Sequence, residues 1–244
     1  MEEWRLFNDS WKAENIVKGA VFMRTIKDLI GKEKGKSILI LCTGSTVKEK
    51  KKDIDVFIEK ERPVLIGVNN LSGFWVPDYH IWTNNGRFRT FGKNIKSKST
   101  LLLGSNISIK VINNTIGTRD YIVLERVDRE GSPIDYRNGV IYGYHRTVGC
   151  VAITVSYLLG AKEINIVGMD GHTLNSYEDV RSGRKAHHFY DEKYVPYSPE
   201  ICVKKDEITK SVLQNLKNYG INFNIITPTV FKKFYDGNKL SGGK

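Results

Sequence analysis

Short, wholly apolar runs alternate with charged amphipathic stretches along most of this chain. Ile38-Leu39-Ile40-Leu41-Cys42 and Val64-Leu65-Ile66-Gly67-Val68 carry no polar residue, and Ile164-Asn165-Ile166-Val167 carries one. Such runs suit strands covered on both faces, as in a parallel sheet. They predict strands over 37–42, 63–68 and 162–167, with further short strands over 79–82, 101–103, 107–112 and 223–226. Between them lie stretches of helical period. Ile16, Ala20, Phe22, Met23, Ile26, Leu29 and Ile30 predict an amphipathic helix over 11–32 that ends near Gly31. Residues 47–60 and 206–217 predict charged helices, and 147–159, apolar nearly all round, predicts a buried helix stopped by Gly160. Residues 173–201 are polar and aromatic without period and read as a long loop or lid. Residues 86–146 give the weakest pattern.

Strand–helix alternation of this kind argues for a doubly wound, mostly parallel α/β sheet with a lid. The organisation expected is an N-terminal helical segment (1–36), an α/β core (37–171 and 202–230) and the lid or acceptor loop (172–201). The length of 244 residues is enough to bury a core without a disulfide or metal staple. Cys42, Cys150 and Cys202 are isolated, form no C-x-x-C pair, and fit a reducing cytoplasm. The charged start, with no signal-peptide core, and the absence of a long apolar run point the same way.

The net charge of +11 changes the picture by implying an anionic partner. The lysines are scattered, and neither a groove-reading helix nor a stacking-aromatic signature accompanies them, so nucleic acid is not expected. Contact with an acidic membrane face, which would place the protein peripherally at the inner membrane, stays open, and so does a homo-oligomer.

In open α/β sheets ligands bind beyond the carboxyl ends of the strands. Here those ends read Thr43-Gly44-Ser45-Thr46, Asn69-Asn70, Asn84-Asn85-Gly86 and Asp170-Gly171-His172. Gly, Asn and Asp are ordinary turn residues, so one such turn carries no message; four on one rim suggest a nucleotide-type site. The first feeds a helix N-terminus that could hold a phosphate, although Ser45 or Thr46 could equally be a plain cap. His145, His172, His187 and His188 all lie in the second half, the last two in the lid beside Tyr177, Tyr190, Tyr194 and Tyr197. Histidine is the usual proton carrier near neutral pH. No ligand spacing for a metal is present.

These turns resemble the bacterial CMP-sialic acid-dependent sialyltransferases of lipooligosaccharide synthesis and related surface-polysaccharide glycosyltransferase domains. The resemblance rests on Thr43-Gly44-Ser45-Thr46-Val47-Lys48-Glu49, on Asn69 and Asn84, and on Thr147-Val148-Gly149, Gly160-Ala161-Lys162-Glu163-Ile164 and Gly168-Met169-Asp170 in uninterrupted register. It implies a Rossmann-like core of the glycosyltransferase A variant. It further implies transfer of a sialic or related ulosonic acid from a CMP-sugar donor to a glycan or glycolipid acceptor, without a metal or other cofactor. Gly44, Ser45, Thr46, Asn69, Asn84, Thr147, Gly149, Asp170 and His172 would surround the nucleotide. Tyr177 matches one of two tyrosines the family sets on the departing phosphate, and His172 stands at the other. Lys205 stands where the family keeps its lid histidine, so the base would be His188 or His187. Two alternatives accompany this reading. One is a Mg²⁺-dependent enzyme like the archaeal-type pterin diphosphokinases, with Asp53, Asp55 or Asp170 as acidic ligands. The other is a nucleotide- or glycan-binding accessory domain without turnover.

Overall fold

The computed structural model describes residues 24–129, 132, 134–190 and 197–240. Among these the strands are β1 (Ser37–Leu41), β2 (Val64–Val68), β3 (Tyr79–Trp82), β4 (Thr100–Gly104), β5 (Ile122–Val127), β6 (Asp135–Arg137), β7 (Val140–Tyr142), β8 (Glu163–Val167) and β9 (Phe223–Ile225). They form one sheet in the order β6-β7-β5-β4-β3-β2-β1-β8-β9. Every pairing is parallel except β6 with β7 at the edge. The chain runs outward from β1 to β5 and β7, then returns to lay β8 on the other side of β1. The topological switch point, where such sheets open a ligand crevice, therefore lies between β1 and β8.

Helices cover both faces, which makes the fold a Rossmann-like, doubly wound α/β sheet. Successive residues of a strand point to opposite faces. In β1, Ile38 and Ile40 join the core under α5 (Val148–Leu158) and α7 (Pro199–Asn218). Leu39 and Leu41 join the core under α1 (Thr46–Glu49) and α2 (Lys51–Glu61). A third cluster, around Trp82, Phe88 and Leu103, seats α3 (Asn85–Phe91) and α4 (Ile109–Ile116). Helix α5 is the most completely enclosed: Gly149 to Ser156 are all buried, as its unbroken apolar sequence requires.

Three expectations need correction. The strand expected over 107–112 is helix α4, because Ser108 accepts from the Val111 amide as an N-cap and places Val111, Ile112 and Ile116 at helical spacing. The helix expected over 206–217 begins seven residues earlier at Pro199, behind the cap Ser198, and so takes in the end of the expected lid. That lid also contains a short helix, α6 (Tyr177–Arg181). Of the helix expected over 11–32, residues 11–23 lie outside the described residues. The remainder holds only a 3₁₀ turn, Ile26–Leu29, and Arg24 and Thr25 pair alongside Val123. No helix among the described residues is long and apolar enough to cross a membrane.

Candidate functional site

The turn after β1 passes directly beneath the end of β8. Gly44 donates to the Gly168 carbonyl (2.9 Å), and Gly168 turns there with φ 72°. A side chain on Gly44 would put its Cβ 2.3 Å from Asp170 Cγ, so only glycine lets the two turns come this close. Asp170 uses that approach. Its carboxylate accepts from the Thr46 amide (2.9 Å), the Thr46 hydroxyl (2.5 Å) and the Ser45 hydroxyl (3.3 Å). Asp170 thus clips the start of α1 to the end of β8. Burial raises its pKa to about 6, against the lowering effect of those three bonds.

A strap from the expected lid crosses this rim. Gly44 and His188 form an antiparallel bridge, and the Phe189 amide donates to the Thr43 carbonyl (3.2 Å). Arg87 Nη2 donates to His188 Nε2 (3.1 Å), which leaves Nδ1 to carry the proton and face Thr43 Oγ1 at 3.3 Å. Arg87 Nη1 donates to the Tyr190 hydroxyl (2.5 Å), and the Tyr190 ring stacks on His188. The next imidazole, His187, lies face to face with His172 and edge-on to His188.

Under the strap is a cavity of about 170 Å³. Its wall includes Gly44, Asn69, Thr147, Gly149, Asp170 and His172, closed above by His187 and His188. Eight of the residues singled out from sequence thus converge. An adjoining chamber of about 350 Å³ shares Asn69, Thr147, His172, His187 and His188 and adds Asn84 and Tyr197. Its distinctive lining is cationic: Arg87, Arg126, Arg146 and Lys205. Of these, Arg126 pairs with Asp128 (2.9 Å), and the Lys205 ammonium sits over the Tyr197 ring. The N-terminus of α5, capped by Thr147, opens onto both spaces, and its dipole adds to the positive field.

Arg146 is held in the left-handed region (φ 57°) by a three-residue turn in which the Thr147 amide donates to the His145 carbonyl at 2.5 Å. Such turns are strained. This one is anchored by His145, fully buried between the Gly143 carbonyl and Thr154, with its amide on Asp128. The positive field and burial together shape the histidines. Burial, with Lys205 and Arg146 nearby, lowers the His172 pKa to about 4. Burial and His172 lower that of His187 to about 4, with Asp206 opposing. Burial, His187 and Arg87 lower that of His188 to about 2. All three imidazoles are therefore neutral at pH 7. Two buried acceptor-capable atoms on the wall, Asn69 Oδ1 and His172 Nδ1, have no hydrogen-bond partner among the described residues.

The remaining expected site residues fall elsewhere. Thr46 lines none of these cavities and serves Asp170. Ser45 faces a separate cavity outside the strap. Tyr177, on α6, lines a third cavity bounded by His172 and His187, which lacks the arginines of the cationic chamber; Tyr197 holds a place there instead. Asp53 and Asp55 lie on α2, bonded to Lys50 and to Lys51 and Trp75, outside the site. Among the described residues no three His, Cys, Asp or Glu side chains converge as metal ligands. The three arginines were the main omission from sequence, Lys205 having entered only as the residue at the lid-histidine position. Only Arg146, next to the cap Thr147, and Arg87, just past Asn84, sit beside a residue already singled out.

No family model matches this chain, and no curated protein matches it.

Proposed function

We propose that this protein is a glycosyltransferase that takes a CMP-linked sugar, of the sialic or related ulosonic acid class, as donor. The observation that carries the reading is the cationic chamber at the switch point, where Arg87, Arg126, Arg146 and Lys205 face the N-terminus of α5 beside a polar cavity. The donor phosphate would lie among the guanidinium groups, which pair with phosphate in a fixed planar fork. The nucleoside would lie toward Asn69 and Thr147, where Asn69 Oδ1 awaits a donor.

In the transfer step the acceptor hydroxyl oxygen forms a bond to the anomeric carbon. The bond from that carbon to the phosphate oxygen breaks, its electron pair leaving with CMP. The hydroxyl proton passes to His187. We assign the base to His187 rather than His188 because His187 borders the donor cavities and also the cavity outside the strap, which His188 does not line. An empty site keeps His187 a weak base. A bound phosphate offsets the charge of Arg87 and Lys205, both of which depress its pKa, and so raises its basicity when substrate is present. The same cations stabilise the charge that develops on the phosphate. The reading suits an acceptor from surface glycan synthesis.

Thermal melting with CMP, CDP, UDP, ATP and GTP, each with and without Mg²⁺, tests this. A rise in midpoint with the cytidine nucleotides, lost in Arg87→Ala and Arg146→Ala, is expected. A rise only with ATP and Mg²⁺ would transfer the assignment to a diphosphokinase. Cytidine binding without release of CMP from CMP-sialic acid in the presence of glycan acceptors would make it an accessory binding domain.

A further inference from the structure

The strap has a second side. Outside it lies the largest cavity described here, about 580 Å³, between the start of α1 and the turn after α6. Its inner wall is His187, the same imidazole that closes the donor cavities. The wall is built rather than incidental. The Asn175 amide donates both to Ser45 Oγ (3.1 Å) and to the Ala186 carbonyl (3.0 Å), joining the strap to the turn after β1. Val180 and the buried ring of Phe189 give it an apolar floor. Lys48, Arg184 and Lys185 stand on its rim against one carboxylate, Glu49. Arg184 is steadied by Asp179 (2.7 Å), while Lys48 and Lys185 have no ion pair among the described residues.

We propose that this outer cavity binds the acceptor, and that the acceptor is an anionic sugar carrying a phosphate or carboxylate read by Lys48 and Lys185. The proposal rests on the donor reading above for the word acceptor, but the site itself does not. An apolar floor under a cationic rim fits a ring-shaped body with an acidic substituent, and a neutral glycan would leave both ammonium groups unmatched. The acceptor hydroxyl would reach the donor past the edge of His187, the imidazole that borders both cavities.

Calorimetric titration of CMP-saturated protein with galactose 6-phosphate, galacturonate and galactose tests the proposal. One anionic sugar is expected to bind with CMP still in place, and whichever binds names the acidic group. Lys48→Ala/Lys185→Ala should weaken it at least about tenfold while CMP affinity holds within about twofold, and Lys48→Arg/Lys185→Arg should retain it. Both pairs of changes are at exposed positions. Displacement of the sugar by CMP, equal binding of galactose, unchanged affinity in the alanine variant, or no binding of either anion at about 10 mM would each overturn the site. A protein that ignores CMP yet binds galactose 6-phosphate through Lys48 and Lys185 would keep the site and overturn the donor reading.

Discussion

The ring of His172 lies parallel to that of His187, with centroids 4.6 Å apart and planes inclined by 17°. Two imidazoles so stacked share one environment and repel one another when protonated. Both have folded-state pKa values near 4, well under the ordinary value of 6.5. The unfolded chain therefore binds protons that the folded one refuses, and stability falls as pH drops from 6.5 toward 4. Above 6.5 this contribution is constant. Urea unfolding at pH 7.5 and pH 5 should show a marked loss at the lower pH, of which His187 supplies at most about 2 kcal/mol. His187→Gln should flatten the slope by about one proton.

Asp170 has the opposite sign. Its carboxyl is raised in the folded state, so its ionisation costs stability as pH rises through about 6. The bonds from Thr46 moderate that cost. Thr46→Val removes the hydroxyl donor and should destabilise by about 1–3 kcal/mol at pH 8. The difference from wild type should shrink near pH 4, where Asp170 is protonated in both proteins. Paired denaturation curves at the two pH values check this, because the histidine effect cancels between them.

Arg146 separates strain from binding. Glycine adopts φ 57° without the penalty a side chain incurs, so Arg146→Gly should leave stability unchanged or raise it by up to about 1 kcal/mol. The same change removes a guanidinium from the phosphate chamber and should weaken CMP about ten- to a hundredfold. A melting curve and a CMP titration on one variant read both effects. Loss of stability together with affinity would mean that the turn, and not the charge, is what Arg146 supplies.

The two tyrosines of the expected lid should part company. Tyr177 lies outside the cationic chamber, so Tyr177→Phe should change CMP affinity by less than about twofold. Tyr197 carries the Lys205 ammonium against its ring within that chamber, so Tyr197→Ala should release Lys205 and weaken CMP by about three- to tenfold. Calorimetry on the two variants distinguishes them.

His187→Ala should cut transfer by about 10²–10⁴-fold with CMP affinity little changed, as expected for loss of a base. His188→Ala removes the link between Arg87, Thr43 and the strap, and should lower the melting temperature and weaken the donor together. A steady-state rate and a CMP titration on each variant separate proton transfer from positioning.

The sheet was legible because a strand covered on both faces is built mostly of apolar residues. β1, β2 and β8 announce themselves in that way, and the turns at their ends follow from the topology. Helix α4 was misread because Ile107, Ile109 and Val111 alternate like a strand, and the cap at Ser108 is a local signal that alternation overrides. Six of the eight converging residues were legible because they follow a strand end or open a helix, and His187 and His188 because they are paired histidines in the lid. The arginines were not, since Arg87, Arg126 and Arg146 come from three separate stretches and meet only through the folding of the sheet. Tyr177 was placed by register with a lid whose path the sequence does not dictate.

The strap is joined to the turn after β1 by one bridge, one amide bond and a few side chains, across 145 residues of chain. A segment held by so few contacts opens before the sheet it covers. Amide hydrogen exchange at Phe189 should therefore run faster than at Ile40 or Ile166 in the free protein. A ligand seated beneath the strap should slow exchange there selectively, so occupancy would be recorded in the time the roof spends open rather than in any rearrangement of the sheet.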